Sequence, residues 1–366
     1  MTMRTRYIII LSVFAVTLGY ALWHLWRITP GERPMKLTVT GAFLLWMALA
    51  FVGFGMTERF SVRTATVLYE TGMPWVLFFL YLLILFVIAD LAALFHLLPQ
   101  GLLRDSWVGL GSAVGVVALT LILGNIHYKH KYREELTIRT EKPLEKPLTI
   151  VMASDLHVGY HIRRAEIARW VDLINAEHPD LILIGGDIVD RSTRPILESD
   201  YAAEFRRLEA PVWTVLGNHE YFSDIDGASK FFSDADIRLL RDTVCSFKGV
   251  DVIGRDDRMN PERKPVAGLA DSLQGFSILL DHQPLHLEEA EAAGIDFQFS
   301  GHTHHGQVWP ISWMTDVMFE KAWGHHSRGN TRYYISSGLG LWGPKIRIGT
   351  RSEYLVLHLE TKEDDH

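Results

Sequence analysis

A single cysteine, Cys245, stands in 366 residues. No internal disulfide can form from it, and no thiolate cluster is available for zinc or iron–sulfur binding. Any metal must therefore be held by imidazole and carboxylate, and 17 histidines are present to do so. A basic excess is missing too: 36 Lys and Arg face 43 Asp and Glu, for a formal charge of -7. That balance weighs against a protein that works chiefly by coating nucleic acid, because neutralising phosphates needs the opposite sign. With 48% apolar and 22% charged residues the chain is neither disordered nor fibrous.

Long apolar runs are the first feature present. Tyr7 to Trp26 reads YIIILSVFAVTLGYALWHLW, long enough to cross a bilayer at 1.5 Å per residue, and basic residues flank it. Its length, bulky aromatic end and lack of a small-x-small cleavage site mark it as retained rather than as a signal peptide. Further runs at 37–56, 75–98 and 107–125 complete a transmembrane region over residues 1–127. Four spans put both termini on one side. Arg4, Arg6, Arg59, Arg63, Lys129, Lys131 and Arg133 outnumber Arg27, Arg33, Lys36 and Arg104 on the other side. The expectation is a multi-pass protein of the inner or plasma membrane with both termini and the soluble part that follows the fourth span in the cytoplasm. Asp90, inside the third run, is read as a carboxyl near a helix end that pairs across the bundle or is protonated, rather than as a proton or substrate path, since no second acid or Lys lies at its depth. His24 and His96 need no functional reading.

Residues 128–147 are charged, contain prolines and read as a solvated juxtamembrane linker. From 148 to 359 strands and helices alternate: strands at 147–153, 180–184, 211–216, 250–254, 276–280, 297–300, 332–336 and 354–358, with helical spacing at Ile167, Trp170, Val171 and Ile174 and again over 285–293. Alternation of this kind means a layered α/β domain. Residues 360–366 form a charged tail.

What the strand ends carry is more informative. The first runs into Ser154-Asp155-Leu156-His157, the next into Gly185-Gly186-Asp187, and the third into Gly217-Asn218-His219-Glu220. Two later strands run into Asp281-His282 and Gly301-His302-Thr303-His304. In open α/β sheets the crevice beyond the strand carboxyl ends is the usual ligand site, and Gly there lets the backbone turn sharply. Each pair alone is more often a turn with a surface histidine, but five together point to one crevice. Imidazole and carboxylate suit Zn, Fe or Mn. Seven such groups exceed one tetrahedral ion and suffice for two ions that share a carboxylate.

These blocks, D-x-H, G-D, G-N-H, a lone H and G-H-x-H in that order, resemble the calcineurin-like metallophosphoesterases, and the tails Gly-Asn-His-Glu-Tyr and Gly-His-Thr-His-His-Gly-Gln look most like the bacterial membrane-associated branch. The resemblance implies a four-layer αββα sandwich with metals at the strand ends. By position, Asp155, His157 and His304 would hold one metal, Asn218, His282 and His302 the other, and Asp187 would bridge them. It makes His219 the residue that steadies the phosphoryl oxygen or protonates the leaving group, with an orienting role as the rival reading. His305, next to the last block, is read as an exposed spare histidine, with contact to substrate as the alternative. Two divalent ions against two aspartates leave a charge of about +2, which attracts phosphate and makes hydroxide available near neutral pH.

The substrate is less legible. Val308, Trp309, Trp313, Met314, Val317, Met318, Phe319 and Trp323 follow the last block. They read equally as packing of a lid and as a surface that enters the interface or receives an acyl chain. Tethering tips the expectation toward a lipid-linked phosphodiester or pyrophosphate. The resembling branch includes enzymes that cleave UDP-2,3-diacylglucosamine in lipid A synthesis. A phosphoprotein phosphatase or nuclease and a non-catalytic membrane sensor are the alternatives, the last opposed by the complete set of ligands.

Overall fold

A computed structural model describes residues 3–362. It divides into two units, Met1–Gly124 and Asn125–His366.

The first unit is helical: α1 (Met3–Ile28), α2 (Arg33–Gly55), α3 (Val62–Gly72), α4 (Pro74–Leu94) and most of α5 (Trp107–Lys129). Four of its stretches, Tyr7–Ile28, Arg33–Gly55, Val62–Leu94 and Trp107–Lys129, are long and apolar enough to cross a membrane. Prolines open α2 and α4, where their missing N–H costs no helical bond. Two boundaries depart from the sequence reading. Residues expected as loop before the third run hold α3, capped by Ser61, whose hydroxyl accepts from Thr64 N–H at 3.2 Å. The third run stops at Leu94, and His96 beyond it takes a left-handed backbone conformation. Asp90 pairs across the bundle as expected, accepting from Tyr20 Oη at 2.8 Å and standing 3.0 Å from His24 Nε2, so His24 has a partner that the sequence did not suggest.

The second unit stacks two six-stranded sheets. One has the order β1-β12-β2-β3-β4-β5, the other β10-β11-β9-β8-β7-β6. The strands are β1 (Lys131–Thr140), β2 (Leu148–Ala153), β3 (Leu181–Ile184), β4 (Val212–Thr214), β5 (Ile237–Leu239), β6 (Thr243–Phe247), β7 (Val250–Gly254), β8 (Phe276–Leu280), β9 (Phe297–Ser300), β10 (Gly324–Arg328), β11 (Thr331–Ile335) and β12 (Ser352–Thr361). Ile150, Met152, Leu183, Ile278, Phe299 and Leu357 pack between the sheets. Alternate residues of the same strands, Val151, Ile182 and Val356, face outward onto Trp170 and Ile174 of α6 (Arg164–Asn175) and onto Phe231 and Phe232. On the far side Ile253, Leu279 and Ile335 meet Val266, Leu269 and Ala290. Four layers, αββα, result, and burial of both sheet faces explains why the central strands read as unbroken apolar runs.

The solvated linker expected over 128–147 is a correction. Ten of those residues form β1, an edge strand parallel to β12. Leu136 and Ile138 turn into the core, while Arg133 and Arg139 point out and pair with Glu177 and Glu360; Glu134, half-buried on the same side of the strand as Leu136, pairs with Arg351. Charge on the outer face of an edge strand guards against further pairing, and that charge mimics a linker in sequence. The charged tail is likewise shorter than expected: Glu360 and Thr361 end β12, and residues 363–366 lie outside the described residues.

Candidate metal centre

Parallel strands β2, β3 and β4 lie side by side in one sheet, and β8 and β9 in the other. Their carboxyl ends bring all seven sequence-derived ligands together. Asp155 and His157 follow β2, Asp187 follows β3, Asn218 follows β4, His282 follows β8, and His302 and His304 follow β9. Three overlapping groups, Asp155-His157-His304, His157-Asp187-His219 and Asp187-His282-His302, each place their donor atoms within 4.8 Å of one another.

The turns that deliver these residues are strained. Asp155, His157, Asp187, His302 and His304 all have positive φ, between 48° and 71°. Such non-glycine residues cost about 1–3 kcal/mol each and persist only where the surroundings over-determine them. Backbone bonds do so here: Asp155 N–H donates to Gly186 O (3.1 Å), His157 N–H to Asp187 O (3.0 Å), and His302 N–H to Asp155 Oδ1 (3.0 Å). Glycine is required where backbone meets carboxylate. A Cβ on Gly217 would lie 2.1 Å from Asp187 Oδ1, and one on Gly301 2.3 Å from Asp155 Oδ2.

The donors fit divalent cations. His157 Nε2 and His304 Nε2 stand 3.0 Å apart with Asp155 Oδ1 3.4 Å from the latter, two imidazole edges and a carboxylate converging in a buried space. His282 donates through Nδ1 to Gly185 O at 2.7 Å, which leaves Nε2, 3.1 Å from Asp187 Oδ2, without a hydrogen-bond partner although buried. A histidine whose other nitrogen is fixed by a backbone carbonyl is the usual arrangement of a metal ligand. Asn218 Oδ1 accepts from His302 Nδ1 at 2.7 Å.

Electrostatics without metal follow from these contacts. Burial raises the Asp187 carboxyl, but the imidazoles of His282, His219 and His157 outweigh it and hold it well below the carboxylate range. Burial likewise opposes protonation of His282, yet Asp187 and Asp155 push it well above its ordinary value. Burial and the neighbouring His282 bring His302 down to about 4, and burial with His157 and Arg347 lowers His304 well below its usual range. Both are thus neutral at pH 7, with lone pairs available. His219, opposed by burial but facing Asp187, Asp190 and Glu220, is pushed up to about 9.

Three supporting residues had escaped the sequence reading. Asp190 is buried with a carboxylate oxygen 3.5 Å from His157 Nδ1 and 3.4 Å from His219 Nδ1, so its charge faces both rings, and its backbone carbonyl lies 3.3 Å from His219 Nδ1; its signal was the second Asp in Gly-Asp-Ile-Val-Asp. Glu220, fully buried, accepts from Gly217, Asp187 and Val189 N–H groups and ties the loops after β3 and β4; burial and Asp187 raise it to about 7. Arg347, also buried, donates to the carbonyls of His304, Ser337 and Gly340 and braces the loop after β9, with no sequence signal beyond a lone Arg in a Gly-Pro-rich stretch. His305 is not an exposed spare: it stacks on Trp323 at 5.1 Å and stands 3.3 Å from Asp316. Nor does the aromatic segment simply pack. In the helix Ile311–Met318, Trp313 is 63% and Val317 87% exposed, with Met314 and Met318 beside them.

Residues 148–306 match the model of the calcineurin-like phosphoesterase family. An uncharacterized metallophosphoesterase of Campylobacter jejuni is 28% identical over 259 residues, 68% of this chain and 69% of that one. One from Helicobacter pylori is 31% identical over 229 residues, so the chain spans 61% of that relative's length and the match covers 60% of its own. A transmembrane protein with metallophosphoesterase domain from Danio rerio is 26% identical over 305 residues, 74% of this chain and 69% of that one. With its two-sheet fold, its five donor-bearing strand ends and these relatives, the second unit carries over residues 148–306 a calcineurin-like phosphoesterase domain, the domain of metal-dependent phosphoester hydrolases.

Proposed function

We propose that this membrane protein hydrolyses a phosphodiester or pyrophosphate bond of a lipid-linked substrate. In this reading Asp155, His157 and His304 hold one divalent ion, Asn218, His282 and His302 a second, and Asp187 both; Mn, Fe and Zn all suit the donors. Bound there, such ions supply positive charge to phosphoryl oxygens and acidify water near neutral pH. The chain's own work is orientation and proton delivery. His219 is anchored through Nδ1 on Asp190 and through its N–H on Asp187 Oδ1 at 2.9 Å, which leaves Nε2 to carry a proton to the leaving oxygen. Divalent ions held by these residues would lower its pKa from about 9 toward neutrality, where a general acid is most effective.

The observation that supports a lipid-linked substrate is the helix Ile311–Met318. Its exposed Trp313, Met314, Val317 and Met318 follow directly on the ligand-bearing loop, and Phe319 at its end lies 6.1 Å from the His302 ring. Exposed Trp and Met beside a polar centre suit an acyl chain or the headgroup layer. The distribution of basic residues supports a cytoplasmic catalytic unit and hence a nucleotide-linked lipid such as UDP-2,3-diacylglucosamine.

The full chain in detergent, supplied with Mn²⁺, should hydrolyse bis-p-nitrophenyl phosphate in an Asp187-dependent manner and should prefer a diacylated pyrophosphate to its deacylated form. Turnover confined to monoesters would remove the diester reading. Equal rates with and without acyl chains would remove the lipid link while leaving hydrolysis intact.

A further inference from the structure

Strands β7, β8 and β9 run parallel in the second sheet, so the loop that leaves β7, residues 255–263, emerges at the same edge as the loops that bring His282, His302 and His304. Its first turn is pinned to two of the turns that bring the second ion's donors. Tyr221, three residues beyond Asn218, donates its hydroxyl to Asp256 Oδ1 at 2.7 Å. Gln283, next to His282, donates through Nε2 to Asp257 Oδ2 at 2.9 Å. Asp256 and Asp257 are buried, so the loop is held beside the Asn218 turn of one sheet and the His282 turn of the other.

Arg258 follows directly. Among the described residues no hydrogen bond or ion pair engages its guanidinium, and its Nη1 is closed off from solvent. The other arginines of the loop and its contacts are all paired: Arg255 with Asp281 at 3.1 Å, Arg263 with Asp281 at 3.2 Å, and Arg241 with Asp256 at 2.6 Å. The adjoining carboxylates are turned to other donors, Asp256 to Tyr221, Arg241 and Asn260, and Asp257 to Gln283 and the Met259 N–H. A buried donor without an acceptor destabilises the free protein, and an anion that reaches it removes that penalty. Divalent ions held by the neighbouring turns would repel a bare guanidinium, which makes an intervening anion more favourable still.

The phosphoryl group under attack belongs to the ions. An arginine on the adjoining loop serves an anionic group farther along the substrate, and its planar fork matches phosphate oxygens. A simple diester has no such second group, whereas a pyrophosphate does. We propose that Arg258 binds the second phosphate of a pyrophosphate substrate and thereby makes the site prefer pyrophosphates to simple diesters. This deepens the hydrolase reading above and rests on it.

The test uses the full chain in dodecyl maltoside, loaded with Mn²⁺ and freed of excess. Isothermal titration compares methylenediphosphonate with methylphosphonate, neither of which is hydrolysed. Arg258→Ala should weaken the diphosphonate at least tenfold and the monophosphonate less than threefold, and Arg258→Lys should recover part of the loss. In turnover, the ratio of kcat/KM for UDP-glucose to that for bis-p-nitrophenyl phosphate should fall at least tenfold in Arg258→Ala, through KM rather than kcat. An alanine variant with an unchanged melting temperature that binds both phosphonates like the wild type, or weakens both equally, would overturn the assignment. Should that variant unfold, Arg258→Gln decides in the same titration, because it keeps a donor and removes the charge. Asp187-dependent diester turnover with an unchanged ratio would overturn the role of Arg258 alone. No turnover of either substrate by the wild type, with the titration difference intact, would remove the hydrolase reading and keep Arg258 as a diphosphate ligand.

Discussion

The two sheets contribute unlike chemistry to the metal centre. Strands β2, β3 and β4 end in Asp155, His157, Asp187 and Asn218, and so bring both carboxylates. Strands β8 and β9 end in His282, His302 and His304, and bring imidazole alone. One sheet therefore supplies the fixed negative charge that makes cation binding favourable. In the proposed centre the other would supply imidazole lone pairs to each ion, and these can be occupied by protons instead. Charge and proton sensitivity are divided between the layers, and the inter-sheet core keeps them in register.

The largest effect should come from the shared carboxylate. Asp187→Asn removes charge from both ion positions at once and should lower kcat/KM by about 10³-fold or more, measured on a diester with saturating Mn²⁺. A loss under tenfold would mean that the first sheet does not carry the charge. On the second sheet, His304→Ala removes one lone pair and no charge. A smaller loss of about 10²-fold is expected, partly regained when Mn²⁺ is raised, because the defect is in affinity. Equal, irrecoverable losses at both positions would erase the distinction.

Proton competition sharpens it further. In the metal-free protein His282 is held well above its ordinary pKa while Asp187 is held well below its own. At neutral pH the proton to be displaced therefore sits on the second sheet. Mn²⁺ affinity should rise as pH rises toward the raised His282 value, by about tenfold per unit for each proton released, and fall as pH drops. Isothermal titration in two buffers of different ionisation enthalpy would count that proton, and no release at pH 7 would contradict the assignment.

Asp190→Asn keeps the size of a residue that touches His157 and His219 without joining the ligand set. A decrease of about 10–100-fold in metal affinity or rate is expected, and unchanged values would show that neither ring needs that anchor. The smallest effect belongs to the helix after β9. Trp313→Ser should change soluble-diester turnover by no more than about twofold, while lowering turnover of a diacylated substrate several-fold. A change of the same size on both substrates would deny the helix a role in acyl recognition.

The ligands were legible because each is anchored to a local signature, an apolar strand followed by a glycine or aspartate turn and a donor. Their supporting residues were not, for a physical reason. Asp190, Glu220 and Arg347 act through partners brought close only by folding: Arg347 reaches back across 43 residues to His304 O. Strand β1 was hidden differently. Half its side chains point into water, so Lys131–Thr140 has the composition of a linker, and only pairing with β12, more than 200 residues later, reveals a strand. The short α3, by contrast, had its cap at Ser61 and buried residues at Ala65 and Tyr69 in view, masked by the stronger apolar run that follows.

Metal content is the most direct test of a centre assembled from both sheets. Inductively coupled plasma mass spectrometry on the full chain, purified with Mn²⁺ and freed of excess, should find two ions per chain in the wild type, one in His304→Ala, and fewer than one in Asp187→Asn. A wild-type value at background, or a value indifferent to Asp187→Asn, would contradict the account.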